Sequence, residues 1–203
     1  MTGGDRRPNA VRTLVLLRHA KSAWPDVPDH DRPLAPRGRR AAPVMGSWLA
    51  GAGYIPDRVV CSTALRARQT WQLAQPVLGA VPAIVFDDRV YAASAAQLLD
   101  LIRCTPAATR TLLMVGHDPA VPELARTLAA AGTEASEGTV NDAAAAVTLG
   151  RMRVKFPTAA IAVLECIGDW AQLAPERARL ACFVTPRELQ SQADRDGDIK
   201  GRD

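Results

Sequence analysis

The segment 14–22, LVLLRHAKS, largely decides the fold of this chain. Its four apolar residues are enough for a buried strand, and they run directly into the pair Arg18-His19. In open α/β sheets, ligands bind outside the carboxyl ends of the strands. A guanidinium and an imidazole delivered to such an end are suited to holding a phosphoryl group, although a strand that simply ends at solvated charges would give the same pattern.

Short apolar strands alternate with amphipathic helices along the rest of the chain, which predicts an α/β fold. Strands are expected at 12–17, 58–61, 83–86, 111–115, 159–167 and 181–184. Helices are expected at 37–50 and after three N-caps, namely Ser62, Ser94 and Asp118. We therefore predict a three-layer sandwich, in which a mixed, mostly parallel central sheet carries helices on both faces.

The composition indicates one globular domain, with 48% hydrophobic and 23% charged residues. Residues 1–10 are expected to be a disordered lead-in, 11–188 the domain, and 189–203 a disordered tail. No apolar stretch approaches the ~18 residues of a membrane span, and the four cysteines are too widely spaced for a C-x-x-C pair. We expect a cytoplasmic protein with reduced thiols that does not bind a membrane, and take a monomer as its default state.

The formal net charge of +4 comes from an excess of arginine and lysine in the first half of the chain, where Arg18-His19 lies. These basic residues form no long run and are not interleaved with aromatic residues. That distribution argues against nucleic acid as a partner and favours a small anionic ligand or an acidic protein surface.

Three predicted strand ends carry groups that suit phosphate. Arg18-His19 follows the first strand, Arg66 lies in the first turn of the helix after 58–61, and His117 follows 111–115. Arginine binds phosphate oxygens bidentately and keeps its charge. A neutral imidazole can attack phosphorus while such cations stabilise the transition state, so the set predicts phosphoryl transfer through a covalent histidine, without a metal or cofactor.

Together these motifs resemble those of the histidine phosphatase superfamily, which shares its fold with the phosphoglycerate mutases. Residues 18–20 (RHA) are similar to its first motif, in which glycine is commoner at the third position, 61–70 (CSTALRARQT) to its second, and 116–117 (GH) to its third. The resemblance implies that His19 is the phosphorylated nucleophile. It also implies a phosphate pocket formed by Arg18, Arg66 and His117.

The closer resemblance is to the small SixA-like branch of bacterial phosphohistidine phosphatases, some of which read RHAKS at the first motif. Residues 31–34 (DRPL) and 155–158 (KFPT) are also similar to that branch, so the match spans about residues 12–188. It implies phosphohistidine on a protein as the substrate, with a small phosphate-bearing molecule as the alternative. Lys21 and Ser22 either contribute to substrate binding or belong to an exposed loop.

The general acid of the larger superfamily enzymes has no clear counterpart here. Those enzymes carry a carboxylic acid after the third strand, where this chain offers only Asp87 and Asp88. An alkoxide leaving group needs such an acid, worth roughly 10²- to 10⁴-fold in rate, whereas an imidazole, with a parent pKa of about 6.5, needs less help. The weak motif therefore favours a phosphohistidine substrate, with Asp88 as the candidate acid and a solvated turn as the other interpretation.

The same residues allow two other interpretations. Cys61 and Arg66 form C-x₄-R at a strand-to-helix turn, one residue short of the C-x₅-R of protein tyrosine phosphatases, and a thiolate there would be a nucleophile. Alternatively, the pocket could bind a phosphorylated ligand without turnover. His30 lies between Asp29 and Asp31, but such close neighbours do not readily converge on one ion, and no metal site is predicted.

Overall fold

Six strands form one mixed sheet at the centre of the structure, a computed structural model that describes residues 11–129 and 140–191. The strands are β1 (Val11–Arg18), β2 (Arg58–Ser62), β3 (Ala83–Asp87), β4 (Thr111–Gly116), β5 (Ile161–Ile167) and β6 (Ala178–Val184). Their order in the sheet is β3-β2-β4-β1-β5-β6. Strands β1 to β4 pair in parallel, and β5 is antiparallel to both of its neighbours. The predicted mixed, mostly parallel sheet is confirmed.

Helices cover both faces of the sheet. They are α1 (Pro36–Gly51), α2 (Leu65–Ala74), α3 (Ala95–Arg103), α4 (Ala120–Leu128), α5 (Val140–Val154) and a short α6 at residues 186–191. Side chains alternate along β1, so that Leu14 and Leu16 pack with α3, α4 and α5 while Val15 and Leu17 pack with α1 and α2. The predicted three-layer sandwich is therefore present, with a hydrophobic core on each side of the sheet.

Two of the three predicted helix caps are wrong. Ser94 does cap α3, in a capping box with Gln97. Ser62, however, is the last residue of β2, and α2 begins only at Leu65. Asp118 precedes a cis peptide bond to Pro119, and Pro119 is the N-cap of α4. The strand pairing of Ser62 with Asp87 extends β2 and delays the helix.

The described chain continues past the predicted domain boundary at 188. Residues 186–191 are helical, and Leu189 packs against the core on the side of α1 and α2. Residues 1–10 and 192–203, predicted to be disordered, lie outside the described residues, as does 130–139. Among the helices described, none has the length and apolar character needed to cross a bilayer.

Two glycines let α1 pack against neighbouring backbone. A Cβ on Gly38 would lie 2.2 Å from the carbonyl oxygen of Lys21, and one on Gly46 would lie 2.3 Å from that of Ala74. Because side chains at these positions would collide with main chain, α1 is held directly against the segment that follows Arg18-His19 and against the end of α2.

Candidate active site

Strand register brings the two histidines together. Strands β2, β4 and β1 are neighbours, and Arg18 lies opposite Gly116 across the parallel pair β1 and β4. The next residue of each strand is a histidine, and the His19 N–H donates a 2.9 Å hydrogen bond to the carbonyl of Gly116. The His19 and His117 ring centroids are consequently 5.1 Å apart, close to the spacing of adjacent strands.

His19 is a buried, neutral imidazole with a defined orientation. Its Nδ1 lies 2.7 Å from the carbonyl oxygen of Ala20, which can only accept, so Nδ1 carries the proton. Burial, together with the positive charges of Arg66 and Arg18, lowers the pKa of His19 to about 4. At neutral pH the Nε2 lone pair is therefore unprotonated, as attack on phosphorus requires.

His117 presents a buried donor beside His19. Its Nε2 lies 2.8 Å from Ser62 Oγ, which also accepts a 3.3 Å hydrogen bond from the Ala64 N–H. Burial and the nearby His19 and Arg66 lower the pKa of His117 to about 3. Because Ser62 Oγ accepts from the Ala64 N–H, its own proton is available for donation to Nε2. In that tautomer the imidazole proton lies on Nδ1, an atom that is buried and has no hydrogen-bond partner among the described residues. Such a donor suits a phosphate oxygen, and Ser62, read in the sequence as a helix cap, orients it.

Backbone and carboxylate groups hold the two predicted arginines. Arg18 donates from Nη1 to the Phe156 carbonyl at 2.6 Å, and its Nη2 lies 3.6 Å from the carboxylate of Asp118. Its Nε is buried and unpartnered within the described part of the chain. Arg66, in the first turn of α2 as predicted, donates from Nη1 to the Asp29 carbonyl at 2.6 Å and from Nη2 to its carboxylate at 2.9 Å. Each guanidinium keeps further N–H groups for an anion.

Asp29 is a central residue of the site that sequence reasoning did not identify. Its carboxylate accepts hydrogen bonds from Arg66, from Arg32 at 2.7 Å and from the Tyr91 hydroxyl at 2.9 Å. Desolvation opposes ionisation, but these bonds and the charge of Arg66 outweigh it and lower the pKa of Asp29 to about 2. Asp29 therefore ties the loop after β1 to α2 and to the turn after β3.

Arg32 adds a third guanidinium near the histidines, and it is buried. Its Nη2 donates to the hydroxyl of Ser22 at 2.9 Å, and its guanidinium carbon lies 3.2 Å from the centroid of the Trp24 ring. The charge of Arg32 contributes to the lowered pKa of His19. The DRPL segment was the available signal for this residue, although only as a resemblance to the SixA-like branch.

The other sequence candidates take different positions. Ser22 is buried with its hydroxyl on Arg32, whereas Lys21 is exposed and shares a groove with Arg18. Asp88 is exposed in the turn Asp88–Val90, and no hydrogen bond between described residues connects its side chain to the histidines. Hydrogen bonds from Arg89 lower the pKa of Asp87, so that this carboxylate is ionised and poorly suited to donate a proton.

Cys61 is placed unfavourably for nucleophilic chemistry. It is fully buried in the core on the side of α1 and α2, and burial raises the pKa of its thiol far above the usual range. The protonated thiol donates to the Ser62 carbonyl at 3.4 Å. A neutral thiol in an apolar core does not act as a nucleophile, which disfavours the C-x₄-R reading. Within residues 11–129 and 140–191, no cluster of three or more His, Cys, Asp or Glu side chains could hold a metal ion.

Comparison with known proteins gives consistent matches. The model of the histidine phosphatase superfamily (branch 1) matches residues 14–90. An uncharacterized protein of Mycobacterium tuberculosis strain H37Rv is 45% identical over 173 residues, which cover 84% of this chain and all of the relative. A protein of Nakamurella multipartitia, assigned as the phosphohistidine phosphatase SixA, has a TM-score of 0.74 and 35% identity over 88% of this chain and 98% of its own. One from Agrobacterium tumefaciens with the same assignment gives 0.66 and 30% over 86% and 98%.

Proposed function

The chain belongs to the histidine phosphatase superfamily, in its SixA-like branch, and from this premise we propose that it hydrolyses phosphohistidine on a protein through a covalent phosphorylated His19. The observation that carries the proposal is the hydrogen bond from Nδ1 of His19 to the Ala20 carbonyl. It leaves Nε2 as the basic nitrogen of a ring that is neutral at physiological pH.

In the first step, the Nε2 lone pair of His19 forms a bond to phosphorus while the bond from phosphorus to the substrate nitrogen breaks. The substrate ring is protonated on its other nitrogen, so it keeps that electron pair and departs as a neutral imidazole that needs no further proton. His19 becomes a phosphorylated imidazolium, and its positive charge is stabilised by the Ala20 carbonyl that accepts from Nδ1. Arg18, Arg66 and the Nδ1–H of His117 bind the equatorial oxygens as charge spreads over them.

In the second step, water attacks the phosphorus of phosphorylated His19, the N–P bond breaks, and inorganic phosphate and neutral His19 are released. The positive charge that both steps need is supplied by side chains already in place, including Arg32, whose charge acts on His19. We therefore propose that turnover is independent of divalent metal and survives removal of such ions with EDTA.

The proposed substrate class is supported by how little acid assistance an imidazole leaving group needs. Imidazole leaves with little acid assistance, and Asp29 and Asp87 are poorly suited to provide more, because both carboxylates are held ionised. The structural relatives assigned as SixA also support a phosphorylated protein. Small phosphomonoesters form the second candidate class, for which Asp88 would have to be the general acid. All four cysteines are free, as suits a reducing cytoplasmic location.

Covalent labelling tests the mechanism. Brief incubation of the wild-type chain with a ³²P-phosphohistidine protein is expected to leave acid-labile label on the enzyme. His19→Ala should lose both the label and turnover, by roughly 10⁴-fold or more, because the nucleophile is removed. Cys61→Ser serves as the control and should retain both. Tight binding of the phosphoprotein by the wild type without label or turnover would instead show a phospho-ligand-binding module.

A rate comparison tests the substrate. The kcat/KM of the wild type for a phosphohistidine protein is expected to exceed its values for a panel of alkyl and aryl phosphomonoesters. A clear preference for the monoesters would contradict the substrate assignment but would leave the covalent mechanism standing.

A further inference from the structure

A groove of about 890 Å³ opens beside the candidate active site. One wall is the start of α1, with Arg37 and Ala41, and the opposite wall is the end of α5 together with α6. Phe183 of β6 lies between the walls and is buried. The volume is within the range of sites that hold drug-sized ligands, and it far exceeds what one phosphoryl group occupies.

The groove is continuous with the phosphate pocket through Arg18. The same guanidinium that is held by the Phe156 carbonyl beside His19 also lines the groove, and the exposed Lys21 lies next to it. A substrate whose phosphoryl group reached Nε2 of His19 would thus have a direct route into the groove for the rest of its structure.

The groove carries positive charge that no described carboxylate neutralises. Lys21, Arg37, Lys155 and Arg187 are all exposed, and none of them forms an ion pair with another described residue. The single acidic residue of the lining, Glu188, is engaged by Arg151 and by the Thr185 N–H. Cations that converge on one cleft without counter-charges raise the local concentration of anions and bind them.

We propose that this groove is a subsite for a second anionic group of the substrate, a carboxylate or phosphate carried by the same molecule as the scissile phosphoryl group. The proposal rests on the phosphate pocket of the proposed function and adds a specificity determinant to it. On a protein substrate, the second anion would be Asp or Glu side chains near the phosphohistidine. On a small substrate, it would be a second phosphate.

Equilibrium binding to the His19→Ala chain tests this without any turnover. The first pair of probes is a phosphohistidine peptide flanked by glutamates and the same peptide flanked by glutamines. The second pair is 1,4-phenylene bisphosphate and phenyl phosphate. Calorimetry at low salt is expected to give about fivefold to tenfold tighter binding of the more anionic member of at least one pair, the gain of one or two exposed ion pairs. That advantage should shrink as salt rises.

The variants locate the effect. Arg37→Gln and Arg187→Gln, one from each wall, are introduced together into the His19→Ala chain. This double substitution should abolish the tighter binding of the more anionic probe and leave the affinity for the less anionic probe of each pair unchanged. Arg39→Gln is the matched control, since Arg39 is exposed on the same helix but does not line the groove. Lys155→Gln supplies an independent variant if the double substitution impairs folding, which circular dichroism would reveal.

The two pairs of probes distinguish the two possible sources of the second anion. A gain confined to the peptides assigns the subsite to acidic side chains of a protein, and a gain confined to the bisphosphate assigns it to a second phosphate. The proposal is overturned if neither pair responds to the groove variants. The covalent mechanism fails separately, by an absence of label on wild-type His19.

Discussion

His19 and His117 lie side by side in a region where burial outweighs every interaction that would favour their protonation. Three guanidiniums, from Arg18, Arg32 and Arg66, strengthen this effect at His19. The same cations that would bind a phosphoryl group therefore also keep the nucleophile unprotonated. Burial is the larger cause of the lowered pKa, and the cations that would bind the phosphoryl group add to it.

The ionisation of these two residues can be measured directly, because the chain has only three histidines. Titration of the ring C–H signals by NMR, with His30→Gln used for assignment, is expected to give midpoints about 4 for His19 and about 3 for His117. Burial is the main cause, so Arg32→Gln should raise the His19 midpoint only partly towards its ordinary value. A His19 midpoint near the ordinary value in the folded wild type would contradict the neutral-nucleophile mechanism.

Residues that directly follow a strand could be found from the sequence, and residues that act through long-range contacts could not. Arg18, His19 and His117 each lie directly after an apolar run, and Arg66 lies in the first turn of the helix that follows one. Strand order brought the two histidines together. Asp29, by contrast, reaches its role through Tyr91, 62 residues away. No local pattern encodes such a contact.

At the scale of elements, the strands and four helix positions followed from apolar periodicity, whereas α5, α6 and the starts of two of the predicted helices did not. Ser62 and Asp118 have the side chains of ordinary N-caps. Their oxygens face other partners, since Ser62 Oγ binds His117 and Asp118 faces Arg18. N-cap preferences gave the wrong prediction at the two residues that contact proposed catalytic groups, as is expected at functional sites.

The contact between α1 and the segment after β1 is expected to be essential for the site. Gly38→Ala would put a methyl group onto the Lys21 carbonyl, and such overpacking costs about 1–3 kcal/mol of stability. Because that segment carries His19, we also expect a clear fall in kcat/KM for an aryl phosphate. Urea unfolding and steady-state kinetics measure the two effects.

Gly51→Ala is the matched control for this prediction, since nothing lies within 4 Å of a Cβ at that end of α1. It should leave activity unchanged and keep or slightly raise stability. Equal behaviour of the two variants would show that the close approach at Gly38 does not constrain the site.

At the scale of the whole molecule, the carboxylate of Asp29 is expected to make a pH-dependent contribution to the free energy of unfolding. Its pKa is about 2 in the folded state, below its ordinary value, so its ionised form stabilises the fold at neutral pH. Asp29→Asn is expected to lower the free energy of unfolding at pH 7 by at most about 1 kcal/mol, because the carboxylate is half exposed. The difference from wild type should narrow as pH falls from about 4 towards 2, where the wild-type carboxylate also becomes neutral.

Urea unfolding at pH 7, 4 and 3 tests this, with Asp26→Asn as the control from the same loop. His19 and His117 also destabilise the fold as pH falls below about 6.5, because the unfolded chain takes up protons there that the folded chain does not. That effect is common to wild type and variant, so it largely cancels in their difference. A stability difference that stays constant down to pH 3 would contradict the role given to Asp29.

Because β1 lies between β4 and β5, its pairing partners are synthesised long after β1 itself. The Phe156 carbonyl that holds Arg18 lies 138 residues later in the chain, so it is synthesised roughly 7–28 s after that arginine. Until β5 follows, the apolar strand Leu14–Leu17 is an open sheet edge, the kind of surface on which nascent chains aggregate. Translation that stalls or terminates before residue 156 therefore yields a chain that lacks the backbone support of Arg18 and leaves one edge of β1 unpaired.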